Sequence, residues 1–359
     1  MAEEVLPQPE TRRRMTVLAA QTLEGFARDL LLAGGFAPEH ADNTARVLVW
    51  ANARGADSHG VLRIPRYVEM IEEGKIDPVA RPAAERSEGA VTVLEAARAP
   101  GASAMIAAMQ EAVSMAGRNG IGWCSARNIT HAGAVGYYAL EAAKQGYLGI
   151  VMTASGPLMA YHGARVSALS TNPISIAVPG ADKPLLLDMS TSTVALGKIM
   201  HARDAGKSIP EGWAIDPDGC AATDPNNVAT LTPMSGAKGS GLSLMIEVLA
   251  SVLIGNPVIS EALSGRNASM NGLALALNLR AFGDPQRFAE DIAALVAALK
   301  GLPKATGVEQ ILMPGERGFA LSKCRMDQGI PLAAGTTKRL CALAERLGVA
   351  LPEQIKSEA

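Results

Sequence analysis

The sequence predicts an α/β protein of about two domains, and three observations predict it. A chain of 359 residues exceeds one small domain at roughly 150 residues each. Its opening carries helical periodicity, whereas the stretch between Gly120 and Asp188 breaks into short β-branched runs separated by Gly, Pro and Asn. Such runs alternating with helix-forming segments describe a sheet with helices packed on it.

Met15 to Ala33 spaces Leu18, Thr22, Phe26 and Leu30 as one helix face and stops at Gly34-Gly35, a pair suited to a left-handed cap. A second helix follows Pro38 and runs from Ala41 to Ala51, with His40 on its exposed side. A short helix and a Pro65-initiated helix, Arg66 to Glu73, come next. Val79 to Gly101 reads as a passage around one strand, Val91 to Leu94, and leads into helix Ala102 to Arg118. Strands are predicted at Ile121 to Cys124, Leu148 to Met152, Ile174 to Val178 and Leu185 to Leu187, with a helix at Ala134 to Gln145. Gly206 to Pro233 reads as a long loop, and long loops in compact domains are usually functional. Gly241 to Leu253 is apolar on nearly all sides and is expected to be a buried helix. A strand near Gln310 to Met313, a turn at Pro314-Gly315-Glu316-Arg317 and a helix from Thr336 to Arg346 end the chain.

Composition narrows the function. With 33 Lys and Arg against 35 Asp and Glu, the net charge is −2, which disfavours nucleic-acid binding. Hydrophobic residues at 48% and charged residues at 19% exclude intrinsic disorder, yet no stretch approaches the ~20 uncharged apolar residues of a bilayer span; the longest candidate, Leu242 to Ile254, is too short and contains Glu247. Thr11-Arg12-Arg13-Arg14 resembles a leader's charged opening, but Gln21, Glu24 and Arg28 interrupt the apolar run that a leader needs next. A cytoplasmic protein is expected. Cys124, Cys220, Cys324 and Cys341 lack C-x-x-C spacing, so they are expected as buried thiols, with no metal site.

No G-x-G-x-x-G follows a strand, so an ordinary Rossmann site is disfavoured; Gly206-Lys207-Ser208 lacks the first glycine of a phosphate loop. Histidine is scarce at five copies. His59, flanked by Ser58 and Gly60, has Arg63 four residues on. One helical turn would aim an acid/base and a fixed cation at one point, as a 2-hydroxy or 2-oxo acid requires. A capping serine with a surface His and Arg is the alternative. His131 lies in a small-residue turn, Asn128 to Gly136, that exposes backbone N–H groups to an anion, or it caps the following helix. Gly236-Ala237-Lys238-Gly239-Ser240-Gly241 leaves room for a phosphate beside a lysine, or is a flexible turn. His162 and His201 have no comparable partners and read as structural or solvated.

At these residues the chain resembles the malate/L-lactate dehydrogenase family that is unrelated to Rossmann-type dehydrogenases. The resemblance is carried in order by Ala53 to Arg63, Leu169-Ser170-Thr171-Asn172-Pro173-Ile174, Leu187 to Ser192, Ile209 to Asp216, Thr223-Asp224-Pro225 and Gly236 to Leu242. It implies a family-specific α/β fold: a helical domain, residues 15–85 completed by 322–359, and a large-sheet nicotinamide-binding domain, 86–321. It implies a homodimer and NAD or NADP, with NAD slightly favoured. Ser58 and His59 match the family's serine and catalytic histidine, and Arg63 its carboxylate-binding arginine. His131 matches a histidine used as acid/base in some members and placed beside the cofactor in others. Ser155, Asp188, Met189, Ser190, Lys238, Gly239 and Pro314-Gly315-Glu316 match cofactor-contacting positions, and Thr171 and Arg266 are candidates for the substrate side.

The implied reaction is hydride transfer between the nicotinamide and C2 of a small 2-hydroxy acid such as malate, lactate or ureidoglycolate. Members that reduce cyclic imino acids carry an aspartate where this chain reads Leu196-Gly197-Lys198, which favours the hydroxy acid. Ala132 and Ser240 replace a common phenylalanine and tyrosine, widening the expected pocket and leaving a catalytically silent nucleotide-binding relative as a third reading. The His131 turn, Gly197-Lys198 and Gly265-Arg266-Asn267 resemble the ureidoglycolate dehydrogenase branch.

Overall fold

The computed structural model describes residues 15–204, 206–267 and 269–356, excepting the side chains of His201 and Asp204. The basic opening, Thr11 to Arg14, and the His201 side chain therefore lie outside the described residues. In chain order the elements begin β1 (Thr16–Leu18), α1 (Ala20–Ala33), α2 (Pro38–Ala53), α3 (Ile64–Glu72), β2 (Ala83–Glu88), β3 (Val91–Glu95) and α4 (Gly101–Asn119). Next come β4 (Ile121–Ile129), α5 (Gly136–Lys144), β5 (Tyr147–Ala154), β6 (Met159–Ala160), β7 (Ser167–Leu169), β8 (Ile174–Val178), β9 (Leu185–Met189) and α6 (Leu196–Asp204). The chain continues through β10 (Ala214–Ile215), β11 (Thr230–Leu231), α7 (Ala237–Ala250), α8 (Ile259–Leu263) and β12 (Met270–Asn278). It ends with α9 (Pro285–Lys300), α10 (Glu316–Gln328), β13 (Ile330–Leu332), α11 (Ala334–Leu347) and α12 (Glu353–Lys356).

A seven-stranded sheet in the order β2-β3-β4-β12-β5-β8-β9 is the centre of the molecule. Only β3 and β4 run parallel in it; every other neighbouring pair is antiparallel. This is no doubly wound dinucleotide sheet, which accounts for the missing glycine fingerprint. Alanine-rich α4 and α5 form the core over it, with Met105, Ala112, Tyr138 and Ala139. At Gly122 a Cβ would come within 1.9 Å of the Ala112 carbonyl, so the α4 backbone rests directly on β4. Residues from both ends of the chain share another core, Leu23, Phe26 and Leu30 with Ile330 and Leu340. A small four-stranded sheet, β10-β11-β6-β7, covers a third.

Several expectations change. Met15 to Leu18 does not open the first helix: residues 16–18 form β1, paired antiparallel with β13. Gln310 to Met313 forms no strand. The apolar helix expected at 241–253 begins at Ala237 and is not buried all round. Ser243, Ile246, Glu247 and Ala250 face inward, while Met245, Val248, Val252 and Leu253 are exposed. With the turn after it, Ala237–Ile254 is long and apolar enough to cross a membrane by length and composition, and 39% of that stretch is buried inside the protein. Cys124 alone among the cysteines is buried; Cys220 is exposed and the others half-buried. His40 is buried, not exposed, bridging Ser103 Oγ (2.8 Å) and the Ala80 carbonyl (3.0 Å).

Candidate active site

The end of α2 builds the first part of the site. Asn52, 3% exposed, accepts from the Val61 N–H (2.8 Å) and donates to Asp57 Oδ1 (2.6 Å). Arg325 on α10 donates to the Asn52 carbonyl and to Asp57 Oδ1 (2.9 Å). A Cβ on Gly60 would lie 2.1 Å from Asn52 Oδ1, so only glycine lets the chain pass. Two 3-10 turns, Asp57–His59 and Val61–Arg63, replace the single helical turn expected. They still bring Ser58, His59 and Arg63 together: Ser58 Oγ lies 3.0 Å from His59 Nδ1, and Arg63 Nε donates to the Ser58 carbonyl at 2.8 Å.

The turn after β4 delivers His131 to the same place. Its ring stacks on His59 with 5.7 Å between centroids and 19° between planes. Tyr67, on α3, places its hydroxyl 2.6 Å from His131 Nδ1, and the Gly133 N–H donates to the same atom at 3.3 Å. Burial, aided by the Arg63 charge, lowers His59 to about 4. Burial, then Arg63 and His59, holds His131 well below the ordinary imidazole value. Both rings are neutral at pH 7 beside a guanidinium whose Nη atoms have no partner among the described residues.

A second cluster forms at the end of β9. Asp188 lies against the start of α5, where a Cβ on Gly136 would come within 2.4 Å of its Oδ2. Asp188 keeps an open face, yet the protein crowded around it raises its carboxyl to about 6, opposed by the Gly136 N–H and the Arg54 charge. Arg54 stacks on Phe319 (4.2 Å) and Trp50 (5.0 Å) and donates to the Gly315 carbonyl at 3.4 Å. The Leu186 N–H donates to the Pro314 carbonyl (3.0 Å), which ties the 314–316 turn to β9. Glu316 is committed to that turn: its carboxylate accepts from the Met313 N–H (3.0 Å) and pairs with Lys300 (2.5 Å).

The remaining matched positions gather around the start of α7. Thr191 N–H donates to the Thr171 carbonyl, Met234 N–H to the Thr191 carbonyl, and Gly239 N–H to the Met234 carbonyl, each at 2.9 Å. A Cβ on Gly239 would meet the Met234 and Thr191 carbonyls. Ser155 and Ser170 hydroxyls are 2.5 Å apart, and Ser190 bonds Ser192 at 3.1 Å. Met189 stays in β9 opposite Ile174, while Lys238 is exposed without a partner among the described residues. Gly197 joins this region to the histidines, because a Cβ there would lie 2.6 Å from Ser58 Cβ. Arg266 is not drawn in: on an exposed turn, it bonds Glu261 (Nη2 to Oε1, 2.7 Å).

Tyr67 and Arg54 were not singled out in the sequence. Tyr67 stands four residues after Arg63, a helical spacing that could have pointed to it; the Arg54 charge acts on Asp188 only because the tertiary fold brings it near.

The model of the family described as malate/L-lactate dehydrogenase matches residues 18–341. A malate dehydrogenase of Pyrococcus horikoshii is 36% identical over 327 residues, 88% of this chain and 91% of that one. An Escherichia coli ureidoglycolate dehydrogenase (NAD(+)) is 33% identical over 307 residues, 83% and 87% of the two chains. Among solved structures, Entamoeba histolytica malate dehydrogenase superposes with a TM-score of 0.89 at 28% identity, covering 94% of this chain and 99% of its own. The delta1-piperideine-2-carboxylate reductase of Pseudomonas syringae pvar. tomato gives 0.81 at 29%, covering 91% and 99%. The chain belongs to the malate/L-lactate dehydrogenase family and is a dehydrogenase acting on 2-hydroxy acids.

Proposed function

We propose that the protein transfers hydride reversibly between NAD or NADP and C2 of a small 2-hydroxy acid, using the stacked His59–His131 pair beside Arg63. That juxtaposition carries the reading: a fixed cation and two neutral imidazoles meet where a carboxylate and its adjacent oxygen would lie. We place the cofactor beside Asp188, the 314–316 turn and the start of α7. The features there fit a dinucleotide: an acceptor carboxylate, the Ser155 and Ser170 hydroxyls, and unpaired Lys238 at a helix N-terminus for the phosphates. The bound nicotinamide supplies the hydride acceptor.

In the oxidative direction Arg63 grips the substrate carboxylate through its Nη atoms. Burial is the larger cause of the lowered His59 basicity; the bound anion offsets the lesser one, the Arg63 charge. His59 takes the hydroxyl proton as the C2–H bond breaks and the carbonyl forms; the reverse reaction returns it. Ser58 can donate to Nδ1 or accept from it, so its hydroxyl follows either protonation state. Gly197 packs against Ser58, leaving no room there for a side chain.

We place a second copy of the chain on the exposed face of α7 and the turn after it, at Met245, Val248, Val252 and Leu253, forming a homodimer. Likeness to the piperideine-carboxylate reductase favours a second reading, reduction of a cyclic imino acid. Purified protein with NAD(H) or NADP(H), assayed by nicotinamide absorbance against malate, lactate, ureidoglycolate, their 2-oxo counterparts and a cyclic imino acid, separates the two. Turnover of the imine alone would replace the first reading.

A further inference from the structure

A small cavity lies against the inner part of the site, lined among others by Phe36, Thr44, Tyr67, Ile76, Thr130 and His131. It has room for roughly one water molecule. Thr44 is 2% exposed, and its Oγ1 has no hydrogen-bond partner among the described residues. Buried hydroxyls are paired as a rule, and leaving one unpaired is unfavourable.

The hydrogen bonds of His131 set a second requirement in the same place. Nδ1 receives the Gly133 N–H, so it bears the lone pair and the neutral ring carries its hydrogen on Nε2. The Tyr67 hydroxyl, 2.6 Å from Nδ1, must then donate as well. Its oxygen is left with lone pairs and no donor among the described residues, while Thr44 has a hydroxyl hydrogen and no acceptor. Both residues line the cavity. One water accepting from Thr44 and donating to Tyr67 satisfies both, and the resulting chain strengthens the phenol as a donor.

We propose that this cavity binds one ordered water between Thr44 and Tyr67, and that the Thr44–water–Tyr67 chain holds His131 as the Nε2–H tautomer. Thr44 and Tyr67 are thus positioning residues. His131 presents a hydrogen-bond donor to the substrate oxygen, and His59, whose serine partner tolerates either protonation state, moves the proton. This division of labour rests on the proposed dehydrogenase site, but the water and the tautomer are measured without turnover.

The test combines a high-resolution crystal structure with nitrogen-15 NMR of the histidine rings at pH 7, on the unsubstituted protein and on Thr44→Val, Thr44→Ser and Tyr67→Phe. The expected result is a water within hydrogen-bonding distance of Thr44 Oγ1 and the Tyr67 oxygen, with His131 Nδ1 unprotonated and Nε2 protonated. Thr44→Val should lose the water, shift the Nδ1 resonance and lower kcat about tenfold with KM for the hydroxy acid unchanged. Thr44→Ser should restore all three, and Tyr67→Phe should shift Nδ1 as well. A dry cavity, an Nδ1-protonated His131 in the unsubstituted protein, or ring resonances indifferent to Thr44→Val would overturn the proposal. Absence of turnover with the water and tautomer in place would count against the dehydrogenase reading alone.

Discussion

The rings of His59 and His131 lie nearly parallel, 5.7 Å apart, one carried by a 3-10 turn after α2 and the other by the turn after β4. Ser58 Oγ beside His59 can follow a change of protonation, whereas the Gly133 N–H donated to His131 Nδ1 fixes the lone pair there. His59→Ala should therefore lower kcat about 100-fold or more, the usual worth of a positioned acid/base, with KM for the acid changing much less. His131→Ala should lower it less, and steady-state kinetics of both variants at pH 7 checks the order. Equal, near-native activity in both would remove the acid/base assignment.

Arg63 is braced from within, its Nε donating to the Ser58 carbonyl. Truncation to Ala removes a charge-assisted contact worth up to about 3 kcal/mol. KM for the 2-hydroxy acid should rise about 100-fold, while the Kd for the nicotinamide cofactor, measured by fluorescence titration, stays within about twofold. A change confined to cofactor affinity would place Arg63 elsewhere in the mechanism.

Acid sensitivity follows from the buried imidazoles. Burial lowers His40, His59 and His131 below 6.5, with His59 near 4. The unfolded chain then binds protons between 6.5 and 4 that the folded chain refuses, so stability is full above 6.5 and lost as pH falls through that window. Asp188, raised to about 6, acts in the opposite sense, since its folded form takes up a proton first. Three histidines outweigh one carboxyl, and the urea midpoint should drop between pH 7 and pH 5. A flat or rising midpoint would show that the rings are not buried in their neutral form.

Asn52 organises the catalytic loop without facing the substrate. Asn52→Ala leaves the Val61 N–H and part of the Asp57 carboxylate without their partner. It should destabilise the fold by about 1–3 kcal/mol, read from urea unfolding, and lower kcat by disturbing Ser58 and His59. A variant of native stability would mean that Arg325 alone holds the loop.

Much of the fold and site was legible in the sequence because it is local. Phe26 and Leu30 on the α1 core face follow the helical spacing, though buried Leu23 takes the place expected of Thr22; Ser58, His59 and Arg63 meet because they are close in the chain. Non-local pairings were not read. Residues 16–18 become a strand only because β13 arrives to pair with them. Central strand β12, a short apolar run, has neighbours on both sides that no local pattern names. His40 sits on a helix that would be exposed in isolation, but α4 brings Ser103 to it. Arg266, matched to the substrate side by resemblance, is instead engaged by Glu261 on an exposed turn.

In the proposed mechanism hydride leaves C2 of the acid for the nicotinamide while the proton leaves its oxygen for His59. Deuterium placed at C2 of a turned-over 2-hydroxy acid tests this most directly, with the reduced cofactor examined by mass spectrometry and NMR. One deuterium per reduced nicotinamide and none released to water is the expected result. Deuterium appearing in solvent, or reduced cofactor without label, would contradict direct transfer.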